Sequence, residues 1–518
     1  MTRQYILDIQ LKLIVDLFAG GGGMSVAFER AFGRSPDIAI NHNDDALSMH
    51  RRNHPQTRHF VADVFEVCPR AATQGRPVGW LHLSPDCTHH SQARGGQPRN
   101  GKIRALTWVA IRWAGQVQPD VISLENVKQI LKWGPLLAKR DRATGRVVRL
   151  DGSIAEPGER TPVEQQFLIP DPERAGATWR AFVAALECLE YVVEWRVLNA
   201  ADYGGHTTRE RLFMIARRDR HGIRWPLPTH FKTPAMGQKK WRAAAECIDF
   251  SDLGRSIFDR KKPLADATLR RIARGIVRYV LRSREPFIIP VTHVGAVRCY
   301  PVSELLKTIT TAHRGEFALV APVLTGVGGR AAQTEPKSVG EPINTITAKA
   351  DTALVTAWLI QANGGFNTVD GRPMDAPLST ITATGSQQQL VTVALSQADE
   401  AASARVVAFL MSYYGKGGPL DMRSPAATIT TKDRLALVTT WLSGEPYVIT
   451  DIRLRMLSPR ELYRAQDFPE NYEIERGHDG RRFSISAQVR MCGNSVNSVC
   501  ATTFLRANAP ELAIRKLA

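Results

Sequence analysis

Through the first 220 residues, apolar runs of strand length alternate with stretches of helical periodicity. Residues 11–18 form a β-branched apolar run that stops at Ala19-Gly20-Gly21-Gly22-Gly23. A helical face follows at once, carrying Met24, Ala27, Phe28, Ala31 and Phe32. The next strand, 38–41, leads through Asp44-Asp45 into a helix that ends near Asn53-His54-Pro55. Strands are expected at 59–62, 80–83, 121–124, 191–198 and 212–216, with helices at 106–116 and 178–190 between them. Strands that alternate with helices in this way predict an α/β fold, a Rossmann-like sheet with helices on both faces. Residues 134–178 lose the periodicity and are rich in Arg, Lys, Gly and Pro, which reads as an insertion or a flexible basic arm.

Beyond Arg220 the pattern changes. Thr-Ile-Thr recurs at 308, 345, 380 and 428, each time followed by a short polar turn and an apolar run. This alternation predicts repeated β-hairpins, so a second, mostly β domain is expected over 223–440. From Asp451 the first pattern resumes. Ser458-Pro459-Arg460-Glu461 has the form of a capping box with proline at the first helical position. Domain boundaries at 1–222, 223–440 and 441–518 follow, the last segment returning to complete the first domain.

Composition narrows the classes. The chain has 518 residues, and 68 Lys and Arg against 50 Asp and Glu leave a formal charge of +18, which favours a polyanionic partner such as nucleic acid. Seven scattered cysteines without a Cys-x-x-Cys pair indicate neither a disulfide framework nor a metal site. No signal peptide and no membrane-length apolar run is found, so a cytoplasmic protein with no membrane contact is expected.

Candidate chemistry collects at strand ends. Cys87 follows the 80–83 strand across a Ser-Pro-Asp turn, and the carboxyl edge of an open α/β sheet is where ligands bind. A thiol there is either a nucleophile or a small packing residue. Glu125 ends the 121–124 strand and belongs on the same rim. Arg209 and Arg211 flank Glu210, so both point one way if a strand begins there. The Gly-x-Gly at 20 and 22 could hold a dinucleotide, another nucleoside or nothing. Asn41 stands where a ribose-binding acid would be expected, and Asp63 either accepts from an exocyclic amine or caps its loop. Residues 88–104, with Arg94, Arg99, Lys102 and Arg104, have the composition of a loop that closes over a substrate, or of an ordinary solvated loop.

Taken together, these motifs resemble those of the cytosine-5 DNA methyltransferases. DLFAGGGG from Asp16 is similar to the family's cofactor loop, and SPDC from Ser84 to its catalytic Pro-Cys. ENV from Glu125, TTRER from Thr207 and GNSV from Gly493 complete a set of five in the family's order. The resemblance implies S-adenosylmethionine as cofactor, held by Phe18, Gly20, Gly22, Asn41, Asp63, Asn494, Ser495 and Val496. It implies Cys87, Glu125, Arg209 and Arg211 as the catalytic set, and double-stranded DNA as substrate, contacted by Ser91, Arg94 and Arg99 around a flipped-out base. The repeat domain takes the place of the family's target recognition domain. A monomer, with a cognate restriction endonuclease as a conceivable partner and no metal, is expected. Four positions depart from the family pattern: Asp86 for a second proline, Asn41 for Glu, Thr207 for Gln and His90 for Phe.

Overall fold

The computed structural model describes residues 11–90, 98–249, 251–252, 254–264, 266–275, 445–509 and 512, together with the strands Phe287–Ile288, Arg298–Pro301 and Val369–Gly371 and those named below between 316 and 442. Its first half is built on β1 (Leu13–Leu17), β2 (Ile38–Asn41), β3 (Arg58–Val61), β4 (Val78–Leu83) and β5 (Val121–Asn126). After these come β6 (Leu136–Ala138), β7 (Leu168–Pro170), β8 (Val192–Asn199) and β9 (Glu210–Arg217). Seven of these strands make one sheet in the order β3-β2-β1-β4-β5-β9-β8. The pairs β1–β2, β2–β3, β1–β4 and β4–β5 are parallel, while β5–β9 and β9–β8 are antiparallel. This is the expected Rossmann-like architecture.

The central strands are apolar on both faces because both are covered. All of β1, β4 and β5 is buried, as parallel strands between helix layers must be. On one face α5 (Val109–Val117) and α6 (Ala177–Glu187) supply Trp113, Trp179, Phe182 and Leu186. On the other, α1 (Gly23–Phe32) meets the late helix Ser498–Asn508, which brings Cys500, Ala501, Phe504 and Leu505 against Met24, Phe28 and Trp80. The C-terminal segment thus packs on the sheet of the N-terminal residues.

Local signals explain the ends. Asn43 caps α2 (Asp44–Asn53) by accepting from Ala46 N, and Asp44 and Asp45 sit at the positive end of its dipole. The capping box at Ser458 is formed, with Glu461 reaching back to the Ser458 N–H. The helix expected over 106–116 is broken instead: a short helical turn at Gly101–Arg104, capped by Asn100, runs through a 3₁₀ turn at Ala105–Trp108 into α5. Residues 134–178 are not a loose arm. β6 and β7 pair antiparallel and an ordered ladder grows from them.

In the second half, the strands Arg255–Ser256, Glu445–Met456, Gln388–Ser396, Thr352–Gln361, Val323–Gly326 and Lys337–Ser338 form an antiparallel path. Glu316–Leu319 and Thr439–Leu442 pair onto it. The described parts of the apolar runs of the four sequence repeats fall in these strands, whereas the Thr-Ile-Thr segments lie outside the described residues. Glu445–Met456 carries this sheet past residue 440 to the edge of the capping box.

Candidate active site

The chain leaves β1 toward β2 on one side and returns to β4 on the other, so the strand order reverses between β1 and β4. Loops after two such strands diverge and leave a crevice at their carboxyl ends. The glycine turn follows β1 and Cys87 follows β4, and the crevice between them is a cavity of about 280 Å³. Its walls carry Phe18, Gly20, Gly21 and Asn41 from the first two units, and Ser84 to Thr88 from the third. Glu125, Asn126, Arg209 and Arg211 line it from β5 and β9, and Met491, Gly493 and Asn494 from the return segment.

All four residues of the expected catalytic set therefore face one space. Antiparallel pairing of β5 with β9 sets Glu125 opposite Phe213, one pair from the end, with Arg211 just beyond. Arg211 Nε lies 3.1 Å from Glu125 Oε1, an ion pair that is not aligned as a hydrogen bond, so this buried oxygen has an unused lone pair. Because β9 starts at Glu210, Arg209 and Arg211 both line the cavity while Glu210 turns outward to Lys128 at 2.8 Å.

The cysteine loop is braced from below. Asn126 donates to Pro85 O at 3.0 Å and accepts from Val127 N, so β5 fixes the turn that presents the thiol. His82 bonds Ser84 Oγ at 2.7 Å and Ser123 Oγ at 2.8 Å, and its burial pushes the imidazole down to about 3, leaving it neutral. Burial raises the Cys87 thiol above its ordinary value, Arg211 and Arg209 pull it down, and Asp86 and Glu125 push it up. The Asp86 carboxylate accepts from Thr88 N at 2.6 Å, which ties it into the turn although it still lines the cavity. Burial and the neighbouring Arg211 push Arg209 down to about 9, still a cation at neutral pH.

The cofactor-side residues divide. Phe18, held at φ +61°, Gly20, Asn41 and Asn494 line the cavity. Gly22, Ser495 and Val496 do not; they are the packing behind the turn. A Cβ on Gly22 would lie 1.9 Å from Tyr472 Oη, and one on Gly23 would lie 2.6 Å from Val496 O. Asn41 donates to Ala19 O at 3.0 Å and accepts from Asn43 N at 2.9 Å, so half of its amide braces the glycine turn. Asp63 is exposed, lies off the cavity wall and accepts from Phe65 N at 2.9 Å, the loop-capping arrangement. Ser91 and Arg94 lie outside the described residues. Arg99 stands away from the cavity wall, with its backbone N–H on Leu168 O at 2.8 Å.

Sequence reasoning missed Tyr472, whose hydroxyl bonds Gly21 O at 2.8 Å from beneath the turn. It also missed the buried chain Asp16–Ser25–His50–His59, with spacings of 3.0, 2.8 and 2.8 Å. Nothing in a single sequence flags a contact between positions 451 residues apart. Among the described residues no group of three or more His, Cys, Asp or Glu is placed to hold a metal, and no helix is long and apolar enough to cross a membrane.

A mostly parallel sheet with a glycine turn and a partly accessible cysteine at its switch point defines an α/β protein with a ligand crevice at the carboxyl edge of the sheet. The family model of the C-5 cytosine-specific DNA methylases matches residues 13–134 and 171–263. The type II methyltransferase M.AquIA of Picosynechococcus sp. is 25% identical over 224 residues, which cover 42% of this chain and 77% of that protein. M.Sau3AI of Staphylococcus aureus is 27% identical over 215 residues, 39% of this chain and 42% of that protein. The S. pombe Dnmt2 methyltransferase structure aligns with 97% of this chain and 100% of its own at 12% identity and a TM-score of 0.45, too distant to add to the sheet seen directly. The match over these residues and the type II relatives support a DNA cytosine-5 methyltransferase, the family whose motifs the sequence resembles.

Proposed function

We propose that the protein methylates carbon 5 of cytosine in double-stranded DNA with S-adenosylmethionine, through a covalent bond between Cys87 and carbon 6 of a flipped-out base. The observation that carries this reading is the single cavity onto which Cys87, Glu125, Arg211 and the glycine turn all open.

Cytosine C5 is a weak nucleophile until something adds to C6. The Cys87 sulfur makes that bond, and the ring electrons move to C5 as an enamine. Glu125, donating a proton at N3 and accepting from the exocyclic amine, takes up the charge that develops on the ring, and Arg211 keeps its carboxyl aimed. After methyl transfer the C5 proton leaves, the C5–C6 double bond re-forms and the thiolate is expelled. Arg209 and Arg211 offset the two carboxylates near the thiol, so the thiolate does not form beside net negative charge.

The residues present suit the donor. A Cβ on Gly20 would meet nothing within 4 Å, so the turn leaves room for a ligand against its backbone. Phe18 offers an aromatic face, and Asn41 and Asn494 offer amide groups for ribose and amino-acid ends. Gly22, Ser495 and Val496 hold the turn in shape from behind. The donor, when bound, supplies a methyl group on a positive sulfonium.

Residues 223–440 serve as the target recognition domain, with Ser91, Arg94 and Arg99 on the DNA beside the base. The type II relatives suggest a restriction-modification setting with a cognate endonuclease. A 5-fluorocytosine duplex tests the mechanism: fluorine cannot leave C5 as a proton does, so a DNA–protein adduct should persist under denaturation and vanish in Cys87→Ala. Adduct on RNA alone would transfer the reading to RNA, and its absence on both would end it.

A further inference from the structure

Residues 135–170 fall in the gap between the two stretches that match the family model. They form a compact ladder. β6 and β7 pair antiparallel, and the ladder continues through Lys139 N to Phe167 O, Val148 N to Lys139 O and Phe167 N to Val148 O. The chain reverses between Arg140 and Val147, with Gly145 at φ +69° completing the turn. Asp141 is the only acid in that turn. Its carboxylate accepts from Ala143 N, Thr144 N and Thr144 Oγ1 at 3.2, 2.8 and 2.8 Å, so its charge is directed into the turn's own donors. Arg140, Arg142 and Arg146 remain around it. Arg140 donates to Gly145 O at 2.9 Å, and none of the three is in an ion pair among the described residues, whereas Arg149 further along pairs with Glu159.

The ladder's root is placed at the reactive edge of the sheet. It follows β5 after one short 3₁₀ turn, Lys128–Lys132, and Lys128 pairs with Glu210 between the two cavity arginines. Leu168 O accepts from Arg99 N, and Asn100 donates its N–H to Nδ1 of His89, two residues after Cys87, at 2.8 Å. The cavity lies at this edge, so a duplex that delivers a base to it passes beside the ladder's root, and guanidinium groups on a turn suit phosphate oxygens.

We infer that the hairpin tip at 140–146 grips the DNA phosphate backbone, a contact supplied by the catalytic half itself and separate from the repeat domain. This rests on the reading that the substrate is duplex DNA. A grip of this kind carries no sequence information; it adds affinity and lowers the salt tolerance of binding.

The test uses the full chain and a mixed-sequence duplex, with dissociation constants measured by fluorescence anisotropy over a series of salt concentrations. For Arg142→Ala/Arg146→Ala the slope of log affinity against log salt should shrink by about 2, since each phosphate contact contributes about 0.9. The rate at saturating DNA should stay unchanged, and Arg142→Lys/Arg146→Lys should restore most of the slope. Both substitutions lie at a solvent-facing turn, and matching melting curves confirm that the fold is intact. An unchanged slope in the alanine variant, with wild-type binding normal, overturns the inference and leaves the DNA reading standing. Absence of duplex binding by the wild type overturns both.

Discussion

Tyr472 donates its hydroxyl to the carbonyl of Gly21 at 2.8 Å, so a residue of the return segment holds the turn that opens the sheet's first crossover. His54 Nε2 stands 3.1 Å from the same hydroxyl and Glu29 Oε1 lies 2.8 Å from His54 Nδ1, which anchors the tyrosine in turn. Removing the hydroxyl keeps the ring but frees the carbonyl. Tyr472→Phe should weaken donor binding about fivefold, the equivalent of roughly 1 kcal/mol for one buried hydrogen bond. Equilibrium dialysis of the donor and a split between its KM and kcat check this; a fall in kcat alone would contradict it.

Two glycines of the same turn should respond oppositely. Gly20 faces open cavity, and a methyl group there occupies ligand space without touching protein. Gly20→Ala should therefore leave the melting temperature in place and raise the KM of the donor. Gly23 has Val496 O and Ser495 Cβ within 2.9 Å of the missing Cβ, so Gly23→Ala should cost about 1–3 kcal/mol of stability. Thermal denaturation and donor titration of the pair decide it.

Glu125→Gln keeps the shape of the carboxyl and removes its ability to hand a proton to the ring. The expected loss in kcat is about 10²–10³-fold with DNA affinity nearly intact. Single-turnover transfer alongside an anisotropy titration separates the two quantities.

Asp86 adds negative charge beside Cys87 and so raises the thiol. Asp86→Asn keeps an oxygen for Thr88 N and deletes the charge. Alkylation of Cys87 by iodoacetamide should then reach half-maximal rate at lower pH than in the wild type. A profile that does not move, or moves upward, would refute the assignment of that charge.

Asp16 is fully buried, and burial pushes its carboxyl up to about 7 despite the bond from Ser25. The native state therefore keeps this proton where the unfolded chain has lost it. Its contribution to stability is present in full below about pH 4 and is lost as pH rises toward 7, on the order of 4 kcal/mol at most. His50, His59 and His82, all pushed down, slope the other way, so the wild-type curve alone does not isolate the effect. The difference in unfolding free energy between wild type and Asp16→Asn should change between pH 4 and 7 and flatten above that range.

How far the sequence could be read depends on how local each cause is. Strand–turn–helix punctuation, the cap at Ser458 and the alternation Arg209-Glu210-Arg211 act over a few residues, and the structure follows them. Asp63 shows the limit: one carboxylate after a strand fits a ligand or its own loop equally well, and here it bonds Phe65 N. The 134–178 arm shows another. Its strands are too short for a periodicity, and only pairing with distant partners such as Phe167 with Val148 makes them regular.

By itself the sequence determined the element order, the glycine turn, the cysteine after the fourth strand and the excess of positive charge, because each is written in adjacent residues. Only the tertiary structure decided that Cys87, Glu125 and Arg211 share one cavity, that Gly22 and Gly23 face Tyr472 and Val496 while Gly20 faces the ligand space, and that the arm is rooted beside them. The reason is physical. Sheet order and register bring distant strand ends together, and that order is set by burial of both faces of the whole sheet, a property no short stretch of chain possesses.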